Sequence, residues 1–250
     1  MIQAKQIAEA LPDVSRADKL LDKFLKERSK SDSHFSPERY YNNSKAKFIY
    51  VETAFMSEVV RELKRKKQMP EITVFTNKLW NSNVFEKMII AGKLAEFIDL
   101  SFEDYERMVK RIDNWAHCDV LCGRAIGFYF LENQNKIPKL EKWAKSKNKW
   151  CRRAAAVSLM QILRDEKASK KQALKILDML MEDSEDMVMK ATDWMIRELS
   201  KKHQDTGYEY CRKWALRYRK TGNRNTRWVL VRARHKLDDK HKKSIEEMLN

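Results

Sequence analysis

The chain has 250 residues, enough for one large domain or two small ones with a real hydrophobic core. It contains only five glycines and four prolines, and 35% of its residues are charged, a mixture that favours amphipathic helices over sheets. No apolar run is long enough for a transmembrane helix, and the first residues, MIQAKQIAEALPDV, lack the apolar block of a signal peptide. Four cysteines without secretory features indicate reduced thiols and a cytoplasmic protein.

The charge is strongly unbalanced. Lysine and arginine number 52 against 36 aspartate and glutamate residues, which gives a formal net charge of +16 and a pI near 9.6. This exceeds the net charge of roughly 2–8 that suits a small domain. The excess favours a polyanionic partner, most simply nucleic acid. The alternative is a basic surface that only keeps the protein in solution.

The N-terminal part of the chain is predicted to form short helices separated by brief breaks. Ser15 is a candidate cap for a helix with one apolar face, formed by Leu20, Leu21, Phe24 and Leu25. Pro37, directly after Ser36, indicates another helix start, because proline suits the first helical position.

Two further helices and a capping motif follow. The segments 73–82 and 83–100 predict an antiparallel helix pair with a short connection. Ser101, followed by Asp104, has the pattern of a capping box at the start of the next helix.

The C-terminal half contains an internal repeat. Three similar stretches centre on Arg153, Lys190 and Arg227, at a constant spacing of 37 residues. Four residues after each cation stands an apolar side chain: Val157, Trp194 and Val231. This period is typical of helical solenoids, whose repeats stack into a curved array. The three cations would then form one ridge suited to the phosphates of a duplex, unless each pairs with a carboxylate on a neighbouring helix.

A dense cluster of reactive residue types occupies the stretch NWAHCDVLCGR, residues 114–124. Cys118 and Cys122 could share a helix face, but no CxxC motif or second histidine pair accompanies them, so the pattern does not favour zinc. We expect both to be small buried residues and His117 to be a surface or groove residue. A cysteine nucleophile lacks a partner base in register.

Trp115 and Asp119 are four residues apart and therefore share one helix face. A carboxylate beside an aromatic ring can stabilise a cationic, sugar-like transition state, because the ring excludes water and presents its electron-rich face. The alternative is an aspartate near a helix start beside a core tryptophan.

Four segments together resemble the bacterial AlkD-type DNA alkylation repair proteins, which are HEAT-like-repeat alkylpurine DNA glycosylases. They are residues 79–94, 114–119, 149–155 and 188–199, and the resemblance spans roughly residues 40 to 237. It implies an all-α fold, a right-handed superhelical solenoid of HEAT-like helix pairs with a basic concave groove. Residues 1–250 would form a single domain, with N-terminal helices over 1–70 and repeats over 71–240. Asn114 and His117 depart from the family's usual pattern.

The resemblance also implies an activity. Members excise positively charged N3- and N7-alkylated purines from double-stranded DNA without a metal or cofactor, and a monomeric, monofunctional enzyme near the nucleoid would be expected. Asp119 would stabilise the sugar cation, and Trp115 and Trp194 would pack against the sugar–phosphate at the lesion. Phosphate contacts would come from Arg153 and from four further cations: Lys149, Arg152, Lys190 and Arg227. The alternatives are a non-catalytic protein that binds damaged or bent DNA and a scaffold for an acidic protein.

Overall fold

The protein is described by a computed structural model that covers residues 1–30, 40–41 and 44–250. The predicted all-α class is confirmed: regular structure in these ranges is helical, with one isolated β-bridge between Lys47 and Val84. The predicted helix start at Pro37 lies outside the described residues. None of the helices in the described ranges is long and apolar enough to span a membrane.

Two compact units make up the chain, Met1–Leu121 and Cys122–Asn250. The first contains seven helices among its described residues, which are α1 (Ala4–Glu9), α2 (Val14–Lys26), α3 (Thr53–Arg65), α4 (Met69–Trp80), α5 (Phe85–Leu94), α6 (Phe102–Val109) and α7 (Trp115–Val120). The predicted pair 73–82 and 83–100 corresponds to α4 and α5, which pack together. The single solenoid domain over residues 1–250 stays a prediction.

Capping side chains determine where two of these helices begin. Ser101 Oγ accepts a hydrogen bond from the Asp104 amide at 3.1 Å, and Asp104 Oδ2 accepts one from the Ser101 amide at 2.9 Å, which confirms the capping box. The prediction for Ser15 is wrong. The helix α2 begins two residues earlier than that cap implies, because Asp13 Oδ1 accepts the amide of Arg16 at 3.0 Å.

A buried carboxylate anchors the extended segment before α3. Glu86, in the first turn of α5, is only 2% exposed. Its carboxylate accepts the backbone amides of Ile49 (3.0 Å), Tyr50 (2.7 Å) and Val51 (3.3 Å). Three donors compensate for the loss of hydration that burial of this acid entails. The segment is therefore attached to α5 through one side chain.

His117 is fully buried, so the prediction of a surface or groove residue is wrong. Its Nε2 donates to the Phe85 carbonyl at 3.2 Å, and its Nδ1 accepts from Asn114 Nδ2 at 2.7 Å. Asn114 Oδ1 in turn caps α7 by accepting the His117 amide at 2.9 Å. Burial lowers the pKa of His117 to about 4, although the Phe85 hydrogen bond and Asp113 oppose that shift. The imidazole is thus a neutral core group at physiological pH.

The second unit begins within a π-helical turn, Leu121–Ile126, and continues with nine helices. They are α8 (Gly127–Glu132), α9 (Leu140–Ala144), α10 (Lys149–Val157), α11 (Met160–Arg164), α12 (Lys171–Asp178), α13 (Asp186–Lys202), α14 (Gln204–Thr221), α15 (Arg224–Ala233) and α16 (Asp239–Leu249). The prediction that Cys118 and Cys122 are small buried residues is confirmed, one in each unit.

The helices of the second unit form two layers. In one layer α10, α13 and α15 pack side by side, and they begin at residues 149, 186 and 224, close to the 37-residue spacing of the sequence. In the other layer α14 packs against α16 and is joined to α12 by Lys213, whose Nζ lies 2.6 Å from Asp178. Arg153, Lys190 and Arg227 lie within the first five residues of the three helices of the first layer.

At Gly207 the helix α14 lies close to Ser200 of α13. A Cβ at this position would lie 2.3 Å from Ser200 Oγ and 3.0 Å from Ser200 Cα. The hydroxyl can rotate, but the backbone atom cannot move without separating the helices.

We expect Gly207→Ala to lower the free energy of unfolding by up to about 2 kcal/mol. The overpacking cost of about 1–3 kcal/mol exceeds the gain in helix propensity of about 1 kcal/mol. Urea denaturation measures the change, and the same substitution in a Ser200→Ala background should cost less. A Gly207→Ala protein more stable than the wild type would contradict the close approach.

Acidification should destabilise the protein through His117. The unfolded imidazole gains its proton near pH 6.5 and the folded one only near pH 4, so the unfolded state binds more protons between these values. Above about pH 6.5 the neutral buried ring makes its full contribution to the free energy of unfolding. This contribution decreases by up to about 3 kcal/mol as the pH is lowered to 4. Urea titrations of the wild type and His117→Gln across this range should show a smaller loss in the variant. Parallel pH profiles would exclude a buried neutral imidazole.

Candidate nucleic-acid interface and active site

Trp115 and Asp119 stand on α7, one turn apart and both half-buried. The indole Nε1 of Trp115 donates to the Tyr40 carbonyl at 3.1 Å. The rings of Tyr40 and Tyr41 lie 5.5 and 5.2 Å from the indole, centroid to centroid. The predicted carboxylate and aromatic ring therefore lie together on one helix, and neither Asp119 nor Trp115 is fully buried.

The start of α7 is tied to the extended segment as well. Asp113 Oδ1 accepts from Ser44 Oγ at 2.8 Å, and its Oδ2 accepts from the Lys45 amide at 2.5 Å. The same Oδ1 accepts from Asn114 Nδ2 at 2.9 Å. Such a network restricts the rotation of the first turn, which carries Trp115.

Trp194 lies on α13 in the second unit and is half-buried. Its Nε1 donates to Glu198 Oε1 at 3.0 Å, and Glu198 also binds Arg164 and Lys201. Burial alone would raise the pKa of Glu198, but the hydrogen bonds from Lys201 and Arg164 lower it. The ionised carboxylate thus fixes the orientation of the indole.

The positive charge of the chain is concentrated in the second unit. Of the 52 lysines and arginines, 31 lie in residues 122–250, together with 17 of the 36 acidic residues. The formal excess there is 14, against 2 in the first unit. The polyanionic partner suggested by the sequence would therefore be drawn to this unit.

Several of the cations predicted to bind phosphate already have acidic partners. Lys190 pairs with Asp186 on its own helix at 2.7 Å, and Lys149 with Glu185 at 3.3 Å. Arg152 binds Asp183 with two nitrogens, at 2.6 and 3.2 Å. Exposed pairs such as that of Lys190 are weak and can exchange partners. Their phosphate-binding role stays a prediction.

Arg153 and Arg227 bind backbone carbonyls. Arg227 is exposed and donates to Leu249 at 3.4 Å. Arg153, expected on an exposed ridge, is only 5% exposed and donates to the Met187 carbonyl at 2.6 Å. Packing of α10 against α13 covers this face, so the structure corrects the expected exposure of Arg153; its contact with DNA stays a prediction.

A cationic crevice of about 410 Å³ opens beside Trp194. We define it by its lining residues on α13, α15 and the 3₁₀ turn after α15, which are Lys190, Asp193, Trp194, Arg197, Arg232, His235 and Lys236. Arg232 also stacks on the Trp228 ring, 3.8 Å from its centroid. Four formal positive charges, one acid and a half-buried indole suit a phosphate with its attached sugar.

The titratable groups of the cationic crevice differ in their environment. Burial raises the pKa of Asp193, while Arg197, Arg232 and Arg153 counteract that rise. Burial and the neighbouring charges of Arg234 and Lys242 lower the pKa of His235, which favours its neutral form. The crevice therefore attracts anions through its lysines and arginines.

Lys190 and Trp194 are site residues that the sequence predicts, whereas Arg197, Arg232 and Lys236 are not among the predicted residues. Arg197 stands three residues after Trp194, hence near it on a helix, and this spacing was an available signal. Arg232 and Lys236 come from the next repeat, and no local pattern brings them to α13.

Comparisons with known proteins give the family and the fold of the chain. A family model described as "DNA alkylation repair enzyme" matches residues 7–237. The structure is similar to Pseudomonas fluorescens alkylpurine DNA glycosylase AlkC bound to DNA containing an abasic site analog, with a TM-score of 0.52 and 16% sequence identity. The match covers 97% of this chain and 65% of that one, so this chain spans less than two thirds of its structural relative. At this identity the likeness shows the fold alone.

No curated protein matches the chain in sequence. The family model, however, covers far more than half of its residues. The chain belongs to the DNA alkylation repair enzyme family, as its motifs indicated.

Proposed function

We propose that the protein is a monofunctional DNA glycosylase that hydrolyses the N-glycosidic bond of N3- and N7-alkylated, positively charged purines in duplex DNA. Family membership supports repair of alkylated DNA, and the fold resembles that of an alkylpurine DNA glycosylase solved with DNA. The observation that carries the proposal is the half-buried Asp119, one turn after Trp115 on a helix with a fixed start.

The chemistry needs only a modest site. An alkylated purine already carries positive charge, so its bond to C1′ breaks with the electron pair leaving on a base that becomes neutral. The deoxyribose develops oxocarbenium character, which the Asp119 carboxylate would stabilise. Water then attacks C1′ and loses its proton, leaving an abasic site. In this proposal Asp119 also orients that water, and Trp115 contacts the sugar.

DNA binding would rest on the second unit. A +14 excess and the cationic crevice would attract the phosphate backbone, and Trp194 would pack against a sugar–phosphate beside it. The proposal includes a right-handed solenoid whose concave groove is basic. A non-catalytic DNA-binding protein would share the crevice but would release no base, and this separates the two functions experimentally.

Asp119→Asn should bind DNA as tightly as the wild type or more tightly, since an acid near phosphates repels them. Release of 7-methylguanine from methylated genomic DNA should fall by about 10²–10³, the usual effect of removing one electrostatic stabiliser. Free bases are measured by chromatography after incubation.

Asp99→Asn provides the matched control, because it makes the same change at an exposed position of the first unit. It should release bases at the wild-type rate. Wild-type-like release by Asp119→Asn would remove the assigned role, and a wild type that bound DNA but released nothing would favour the non-catalytic alternative.

Arg232→Ala should weaken binding to any duplex. It should also make the negative slope of log K against log salt shallower by about one, as expected for one lost phosphate contact. Arg219→Ala, at an exposed position of α14 outside the cationic crevice, is the control and should change the slope less. Fluorescence anisotropy over a salt series measures both. Equal slopes for Arg232→Ala and the wild type would mean that the crevice does not hold DNA.

A further inference from the structure

We propose that Asp193 is a positioning residue that holds Arg197 in place for a DNA phosphate in the cationic crevice. The inference rests on the proposed function, because it assumes that DNA occupies the crevice.

Asp193 and Arg197 form a close ion pair one turn apart on α13. Asp193 Oδ1 accepts from Arg197 Nε at 2.8 Å and lies 2.6 Å from Arg197 Nη2. Two contacts to one oxygen fix the plane of the guanidinium, and Nη1 has no part in them. The direction in which the remaining N–H groups point is therefore set by the carboxylate.

Exposure differs sharply between the two partners. Asp193 is 2% exposed, whereas 34% of the Arg197 side chain is accessible and lines the crevice. A phosphate that enters can reach Arg197 but not the carboxylate behind it. Asp193 would thus act through the arginine.

Cations from three helices face this single carboxylate. Arg197 lies on the same helix, Arg232 on α15 and Arg153 on α10, and all three lower the pKa of Asp193 against the effect of burial. The acid compensates part of the repulsion among these cations, so that they can stand close together. A crevice without this acid would force them apart.

A simpler view makes the opposite prediction. If Asp193 affected DNA only through its charge, its removal would raise the positive potential of the crevice, tighten binding and steepen the salt dependence. If it positions Arg197, its removal should weaken binding and flatten the salt dependence. The sign of the change separates the two views.

The experiment is a double-mutant cycle with Asp193→Ala, Arg197→Ala and the double variant. Binding to undamaged duplex DNA is measured by anisotropy over a salt series, and the folded fraction is checked by thermal melting. We expect the negative slope of log K against log salt to become shallower by about one in each single variant. The double variant should make it no shallower than that. Asp193→Glu, which keeps the charge, should recover part of the slope.

Other results would overturn the role. Tighter binding by Asp193→Ala, or additive effects in the cycle, would show that Asp193 does not act through Arg197. If Asp193→Ala fails to fold, Asp193→Val removes both acceptor oxygens at a similar volume and should still make the salt dependence less steep. An unchanged or steeper salt dependence would sink the inference. Asp205→Asn, at an exposed position in the first turn of α14, controls for the loss of one acid and should leave the slope unchanged.

The wild type separates this inference from the function on which it rests. Absence of base release from methylated DNA would contradict the proposed glycosylase while the binding cycle still tests Asp193. Absence of salt-dependent binding by the wild type would overturn both.

Discussion

The arrangement of α7 depends on the hydrogen bonds that the side-chain amide of Asn114 makes with His117. Its oxygen caps the helix through the His117 amide, and its nitrogen meets the unprotonated Nδ1 of the same residue. Because His117 Nε2 must donate to a carbonyl, only one neutral tautomer satisfies both contacts. Asn114 and His117 therefore form one structural feature, since each residue completes the hydrogen bonds of the other.

In the second unit, individual cations form ion pairs with acids, yet the unit as a whole keeps a large net positive charge. Lys190, Lys149 and Arg152 each have a nearby acid, so a ridge of unpaired cations does not describe them. The excess of 14 positive charges nevertheless persists after such pairs are made, because acids are too few to match the cations. The electrostatic field that would attract a polyanion such as DNA is a property of the whole unit, whereas the positions of phosphates would depend on a few side chains such as Arg232.

Local motifs and periodicity in the sequence were sufficient to predict four features: the helical class, the capping box at Ser101, the spacing of the repeat, and the shared helix face of Trp115 and Asp119. All of these depend on contacts within a few residues or on a constant period. The burial of His117 and Arg153 was not predictable in this way, because it depends on which helix packs over each residue. The cationic crevice was missed for the same reason: Asp193 and Arg232 are 39 residues apart in the sequence.

The attachment of the extended segment to Glu86 has a consequence for how this protein can vary. All three contacts are made by main-chain amides of residues 49–51, which every amino acid except proline possesses. The anchor therefore places no demand on the side chains of Ile49, Tyr50 or Val51. It places a strict demand on position 86 instead, because an apolar residue there would leave the amides of residues 49–51 without the oxygen atoms that now accept their hydrogen bonds.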